Sequence, residues 1–242
     1  MKFLRNRWYP AAWSKEVSAK PLGRKILGED ITFFRAGAGK AAAVASRCPH
    51  RFAPLHFGDV VGDNIKCRYH GLQFSATTGA CTVNPDGSKP PSVSVKAYKV
   101  VDKDAMLWIW MGDQEPSVEP PDVLKLPENM GGFVTGYLHV KSHFQLLTDN
   151  LMDNAHATHL HAIFKTDAAI KHPKQEVRQD GDVVYSTTWA PNEPPNPFFH
   201  MLSGKGDPVD QWVDFKWEAP ATVRLNAGAT PTDRPRSEGV EV

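Results

Sequence analysis

The sequence predicts an α+β fold in two parts: a small all-β domain, then an antiparallel sheet accompanied by one helix. Three observations carry this. The first half is made of short β-branched and aromatic runs separated by Gly and Pro, which number 18 and 20 over the 242 residues. One segment near residue 150 repeats its apolar positions at helical spacing. Beyond it, apolar residues alternate at period two.

Ile31-Thr32-Phe33-Phe34-Arg35 reads as a strand ended by the Ala-Gly-Ala-Gly turn at 36–39, with Ala41 to Ser46 as its hairpin partner. Ser92 to Val101 places Val93, Val95, Ala97 and Val101 on one face, and Leu107-Trp108-Ile109-Trp110 is a further apolar strand. Asp113 to Pro127 carries Pro116, Pro120, Pro121 and Pro127 and reads as an extended linker. The expected domains are therefore residues 1–115 and 116–242. In the second, Phe133 to Val140 reads as a strand. His143 to about Ala157 reads as a helix, with Phe144, Leu147 and Leu151 at i, i+3 and i+7. Val183 to Trp189 is another strand, Pro191 to Pro197 a loop. Val213, Phe215 and Trp217, then Val223, Leu225 and Ala227, mark two more strands. The sheet is expected to wrap on the helix. Thr230 to Val242 is polar, with few anchors, and is expected to be loose.

Composition narrows the function. The 28 Lys and Arg nearly balance 27 Asp and Glu, so a net charge of +1 offers no field for nucleic acid. No apolar run is long enough to span a bilayer, and Lys2, Arg5 and Arg7 interrupt the N-terminal apolar residues, so no membrane association and a cytoplasmic location are expected. Three cysteines, Cys48, Cys67 and Cys81, do not make a disulfide scaffold; Cys81 reads as a small buried hydrophobe.

Cys48-Pro49-His50 and Cys67-Arg68-Tyr69-His70 supply one thiol and one imidazole each from two short loops. They could be two buried cysteines with incidental histidines, a tetrahedral zinc site, or a [2Fe–2S] cluster with two Cys on one iron and two His on the other. Zinc modules usually pair like with like, whereas each loop here is mixed, which suits the binuclear cluster. Gly71, directly after His70, would allow a tight turn at the cluster tip.

A second patch runs from Asp149 to His161. Asn150, Asp153 and His156 share a helical stripe, and imidazoles with a carboxylate suit a mononuclear iron. His156 and His159 are three apart and could bind one metal. His156 and His161 are five apart, about 140° around an ideal helix, and converge only if the helix is distorted or ends between them. A polar helix face with incidental histidines is the bland alternative.

Cys48-Pro49-His50-Arg51 with Cys67-Arg68-Tyr69-His70-Gly71, followed by Trp108-Ile109-Trp110, resembles the Rieske domain of ring-hydroxylating non-heme iron oxygenases. Respiratory-chain Rieske proteins carry an extra cysteine in each loop, and this chain has none. The resemblance implies a [2Fe–2S] cluster on Cys48, His50, Cys67 and His70. Asn150, Asp153, His156 and His161 match the family's iron motif position by position, which implies His156 and His161 as ligands of a mononuclear Fe(II). It makes His159 a neighbour and gives Asn150 and Asp153 catalytic roles. It further implies a homotrimer in which His70 of one chain meets Asp153 of the next, with a reductase or ferredoxin as electron donor and O2 and a small aromatic as substrates. Trp8-Tyr9-Pro10-Ala11-Ala12 and the run from Cys48 to Leu55 are most similar to vanillate and dicamba O-demethylases, so O-demethylation of a methoxylated aromatic is the activity implied. A dioxygenase or hydroxylase of another aromatic or N-methyl substrate, and an inactive electron-transfer protein, are the alternatives. The family's third iron ligand, an Asp on a late helix, would fall beyond Val242. The chain thus reads as a fragment of a longer oxygenase rather than a natural short form, its catalytic domain truncated. Asp214 and Glu218 are expected to face solvent. Phe198, Phe199 and Trp212 could line a pocket, though core packing is the expected role for each.

Overall fold

The computed structural model describes residues 3–123, 134–165, 174–204 and 206–242. The chain divides into two compact units, Met1–Lys125 and Leu126–Val242.

Among its described residues the first unit contains eleven strands: β1 (Trp8–Trp13), β2 (Leu22–Ile26), β3 (Glu29–Arg35), β4 (Ala41–Ala45), β5 (Asp59–Val61), β6 (Asn64–Lys66), β7 (Gln73–Ser75), β8 (Cys81–Val83), β9 (Ala97–Tyr98), β10 (Val100–Lys103) and β11 (Met106–Trp110). They form three antiparallel sheets, in the orders β1-β11-β10, β2-β3-β4-β9 and β5-β6-β7-β8. The expected hairpin is present, with Ile31 opposite Ala45 and Arg35 opposite Ala41. Its alternation serves two cores. Ile31, Phe33 and Ala43 pack with Leu107, Ile109 and Met111. Phe34, Ala42 and Val44 pack with Leu55, Ile65, Phe74, Cys48 and Cys67. A strand buried on both faces needs side chains at consecutive positions that tolerate burial, which explains Ile31, Phe33 and Phe34; Thr32 between them is fully buried with its hydroxyl bonded to Ser46 Oγ.

Two readings of this half change. Ser92 to Val101 is not one strand: only Ala97–Tyr98 and Val100–Lys103 are strands, and Val95 and Tyr98 enter different cores. The Pro-rich segment is anchored over its described part, 113–123, while 124–127 lie outside the described residues. Trp110 Nε1 donates to the Gln114 carbonyl at 2.7 Å and Trp8 Nε1 to the Val118 carbonyl at 2.6 Å. Lys103 Nζ bonds the Pro120 carbonyl and pairs with Asp122. Proline cannot donate, so these outside donors satisfy its carbonyl neighbours.

The second unit contains α1 (Phe144–Met152), α2 (Ala157–Leu160) and α3 (Pro197–Ser203), with an antiparallel sheet in chain order: β12 (Lys174–Asp180), β13 (Val183–Glu193), β14 (Val209–Glu218), β15 (Thr222–Pro231) and β16 (Val240–Glu241). The helix on the sheet is α3, not α1. Asn196 caps it, Gly204 at φ +65° stops it, and Phe199 packs with Val209, Ala227 and Ala229. Phe199 and Trp212 are core residues, at 5% and 1% exposure, and Phe198 packs against the same cluster. The stripe Phe144, Leu147, Leu151 on α1 stays exposed.

Other expectations are corrected. Phe133 lies outside the described residues, and 134–140 form no strand, with Val134 and Leu138 exposed. Strand β13 runs on through Pro191 to Glu193 over a bulge near Asn192 at φ +52°. The tail is not loose: Val240 and Glu241 pair with Ala229 and Gly228, and Arg236 lies over the Trp212 ring at 4.4 Å. Asp214 and Glu218 are half-buried and paired, with Arg236 and Lys216 respectively. Strand β12, exposed along its whole length, reads Lys-Gln-Glu-Val-Arg-Gln-Asp, and such charge discourages edge-to-edge pairing with another chain.

Candidate metal centres

The first cluster loop leaves β4, and the second is the tip of the β6–β7 hairpin. The two close in the same way. The Cys48 N–H donates to the Ala53 carbonyl and the Phe52 N–H to the Cys48 carbonyl. The Cys67 N–H donates to the Leu72 carbonyl and the Gly71 N–H to the Cys67 carbonyl. The fifth residue of each loop has positive φ, Phe52 at 56° and Gly71 at 76°. Gly71 thus makes the tight turn expected of it. A Cβ there would also lie 3.1 Å from Pro85 Cβ. Gly71→Ala is therefore expected to cost about 1–2 kcal/mol and lower the melting temperature by roughly 2–4 °C per kcal/mol, read from heat-induced loss of secondary structure. An unchanged melt would remove the steric argument.

Cys48 and Cys67 are each 2% exposed and sit within the apolar core, whereas His50 and His70 are exposed at the tip with ring centroids 4.5 Å apart. The Tyr69 ring packs on His70 at 4.0 Å. Burial pushes the Cys48 thiol up from its ordinary pKa, and the adjacent Cys67 adds to this; N–H groups of His50 and Arg51 on the sulfur oppose it. The donors are thus sorted into a buried thiol pair and an exposed imidazole pair. Among the described residues no three His, Cys, Asp or Glu side chains surround a single point. That sorting fits a group with two metal atoms, one for each donor pair, better than a tetrahedral ion. Cys81 is half-buried against the same core, and burial pushes its thiol up as well.

In the second unit the expected long helix stops at Met152. Asp153 takes an extended conformation, and its Oδ1 accepts the Ala155 N–H at 2.9 Å, a turn that Asp favours. One turn of helix, α2, then follows, flanked by His156 and by His161, which is again extended. The break brings the two imidazoles together: His156 Nε2 and His161 Nε2 are 3.4 Å apart. Asn150 Nδ2 lies 3.4 Å from His156 Nε2. His156 Nδ1 is buried and makes no hydrogen bond, with Asp153 Oδ2 just beyond bonding distance at 3.6 Å. His159 is exposed, and the polar neighbours of the His156 ring are Asn150, Asp153 and His161. Two nitrogens about 2.1 Å from one ion can lie this far apart. The pair fits a mononuclear metal, with Asn150 and Asp153 as the nearest polar groups.

What spacing alone missed is Asn154, whose amide donates to Thr188 Oγ1 on β13 at 3.3 Å and ties the broken turn to the sheet. A lone Asn beside an Asp gives no sequence signal for such a contact.

Comparison with known proteins bears on both centres. A family model described as the Rieske [2Fe-2S] domain matches residues 7–101, and one described as the vanillate O-demethylase oxygenase C-terminal domain matches 140–242. The chain is 35% identical to the oxygenase component of chloroacetanilide N-alkylformylase of Rhizorhabdus wittichii, over 99% of this chain and 70% of that one. It is 36% identical to the oxygenase component of dicamba O-demethylase of Stenotrophomonas maltophilia, over 99% of this chain and 72% of that one. The crystal structure of dicamba monooxygenase with non-heme iron and dicamba superposes with a TM-score of 0.80 at 33% identity, over 100% of this chain and 71% of that one.

Proposed function

Since this chain belongs to the Rieske oxygenase alpha-subunit family, we propose that it is the terminal oxygenase component of a system that demethylates a small methoxylated aromatic. One observation carries the reading: the helix break at Asp153 converges His156 and His161 beside Asn150, in a chain whose other unit pairs two thiols and two imidazoles.

Cys48, Cys67, His50 and His70 hold the cluster, and His156 and His161 hold Fe(II). When bound, these groups supply a stored electron and the activation of O2. The rest falls to the chain. Burial of Cys48 and Cys67 keeps water from the sulfur side, and exposure of His50 and His70 leaves the imidazole side open to a neighbour. Asp153 Oδ2, 3.6 Å from the unpartnered His156 Nδ1, is the acceptor nearest that N–H; a small shift on metal binding would close the bond, fix the tautomer and leave Nε2 for the metal. The Asp153 side chain is 55% exposed, so it can also accept from His70 of the next chain in a homotrimer. Asn150 offers an amide donor at the edge of the imidazole pair, where a substrate oxygen would be held.

The reaction balances as follows. A methoxy C–H is hydroxylated with O2, two electrons and two protons, giving a hemiacetal and water. The hemiacetal C–O bond then breaks to a phenol and formaldehyde. The electrons come from a reductase or ferredoxin. The test supplies the reconstituted protein with reductase and methoxybenzoates. One formaldehyde per O2 consumed is expected; a cis-diol product would overturn demethylation. A second reading, dealkylation at nitrogen, draws on the N-alkylformylase relative. Turnover of N-alkyl anilides with none of methoxybenzoates would favour it.

A further inference from the structure

We infer that Asn196 is a positioning residue for the metal centre, holding His161 in place through Phe164; the inference rests on the reading of His156 and His161 as ligands. His161 sits in extended backbone after α2 and is exposed, so no helix packing fixes its ring. Its ring neighbours are His156 and Phe164, the latter edge-to-face at 6.3 Å and 88°. Whatever holds Phe164 therefore holds one wall of His161.

Phe164 is held twice, both times by the start of α3. Its ring packs on Phe198 at 5.0 Å. Its carbonyl accepts from Asn196 Nδ2 at 3.5 Å, a long bond but a shielded one, since Asn196 is only 6% exposed. The other end of the same amide is committed: Oδ1 accepts the Phe199 N–H at 3.0 Å and caps α3. Phe199 anchors α3 in the sheet core. One side chain thus spans from the sheet-bound helix to the turn bearing His161. With Asn154 bonded to Thr188 on the His156 side, each histidine is referenced to the sheet by an asparagine amide. The spacing of the imidazole pair is set from the sheet rather than by α2, which is a single turn.

Asn196→Asp separates the two roles. It keeps the capping oxygen and the volume but turns a carboxylate oxygen toward the Phe164 carbonyl. Asn196→Ser keeps a cap and reaches no further. The cluster-loaded full chain is titrated with Co(II) under anaerobic conditions and followed by calorimetry, with melting temperature and cluster spectrum recorded alongside. Both variants are expected to bind Co(II) about 10-fold more weakly, the usual scale for groups that orient a metal ligand, with the cluster spectrum unchanged. Asn196→Ser is expected to fold with a modestly lower melting temperature, since the buried Phe164 carbonyl loses its donor, and it decides the matter if Asn196→Asp fails to fold. Wild-type affinity in the folded variants would overturn the role of Asn196 and leave the ligand reading standing. Undiminished Co(II) binding in His161→Ala would overturn both.

Discussion

Asp153→Asn is expected to cut coupled turnover by roughly 10²–10⁴-fold with both metal centres still loaded. The substitution is isosteric, and the amide oxygen can still accept the Ala155 N–H that shapes the turn after α1. What is lost is the charge, and with it the strong acceptor 3.6 Å from His156 Nδ1, a buried atom with no hydrogen bond of its own. In the trimer proposed here, the same carboxylate also receives His70 of the next chain, so one atom change weakens both ends of the electron path. The measurement combines iron and sulfide content with formaldehyde release per electron supplied. Near-normal coupled activity at full iron content would sink the bridging role.

The second large effect separates His161 from His159. His161→Ala should abolish oxygenation and lower the iron-to-sulfide ratio from about 1.5 to about 1, because a [2Fe–2S] cluster alone has equal iron and sulfide. His159→Ala should change neither. The contrast comes from the chain geometry. On an unbroken helix His159 would be the better partner of His156, but the break at Asp153 and the extended residue at 161 bring His161 Nε2 to 3.4 Å from His156 Nε2 instead. The opposite result would make His159 the ligand and leave the break without a chemical purpose.

That pair of histidines also marks how far sequence reasoning reaches. Spacing left His159 and His161 both open because helical periodicity assumes a helix, and the feature that sets His161 rather than His159 beside His156 is where the helix ends. The signal for that end is the Asp-Asn pair at 153 and 154, whose side chains compete for backbone N–H groups. The cluster loops were more legible, because mixed Cys and His in two short segments with a Gly at the turn tightly constrain the chemistry. The hairpin at 29–45 was legible because β-branched residues met a Gly-rich turn. Less legible were elements held by distant partners. The stretch 230–242 looks unanchored until Arg236 is seen over Trp212 and Val240 opposite Ala229. The segment after Asp113 looks like a free linker until the indoles of Trp8 and Trp110 are found donating to its carbonyls. Helix α3 was missed because seven residues starting at a proline carry too little periodicity to stand out. Periodicity also assigned the sheet to the wrong helix, since the apolar stripe on α1 is stronger in sequence than the packing of α3.

The burial of the two cluster thiols has a bearing on how the protein is made. Cys48 and Cys67 occupy the same core as Phe34, Leu55, Ile65 and Phe74, so binding at the sulfurs is coupled to the packing of that core. A group ligated only by the folded form adds its binding free energy to folding. Maturation of this unit is therefore a matter of delivery: the yield of folded chain is expected to follow the supply of iron and sulfide during synthesis, which comparing yields from iron-starved and iron-replete cultures would check.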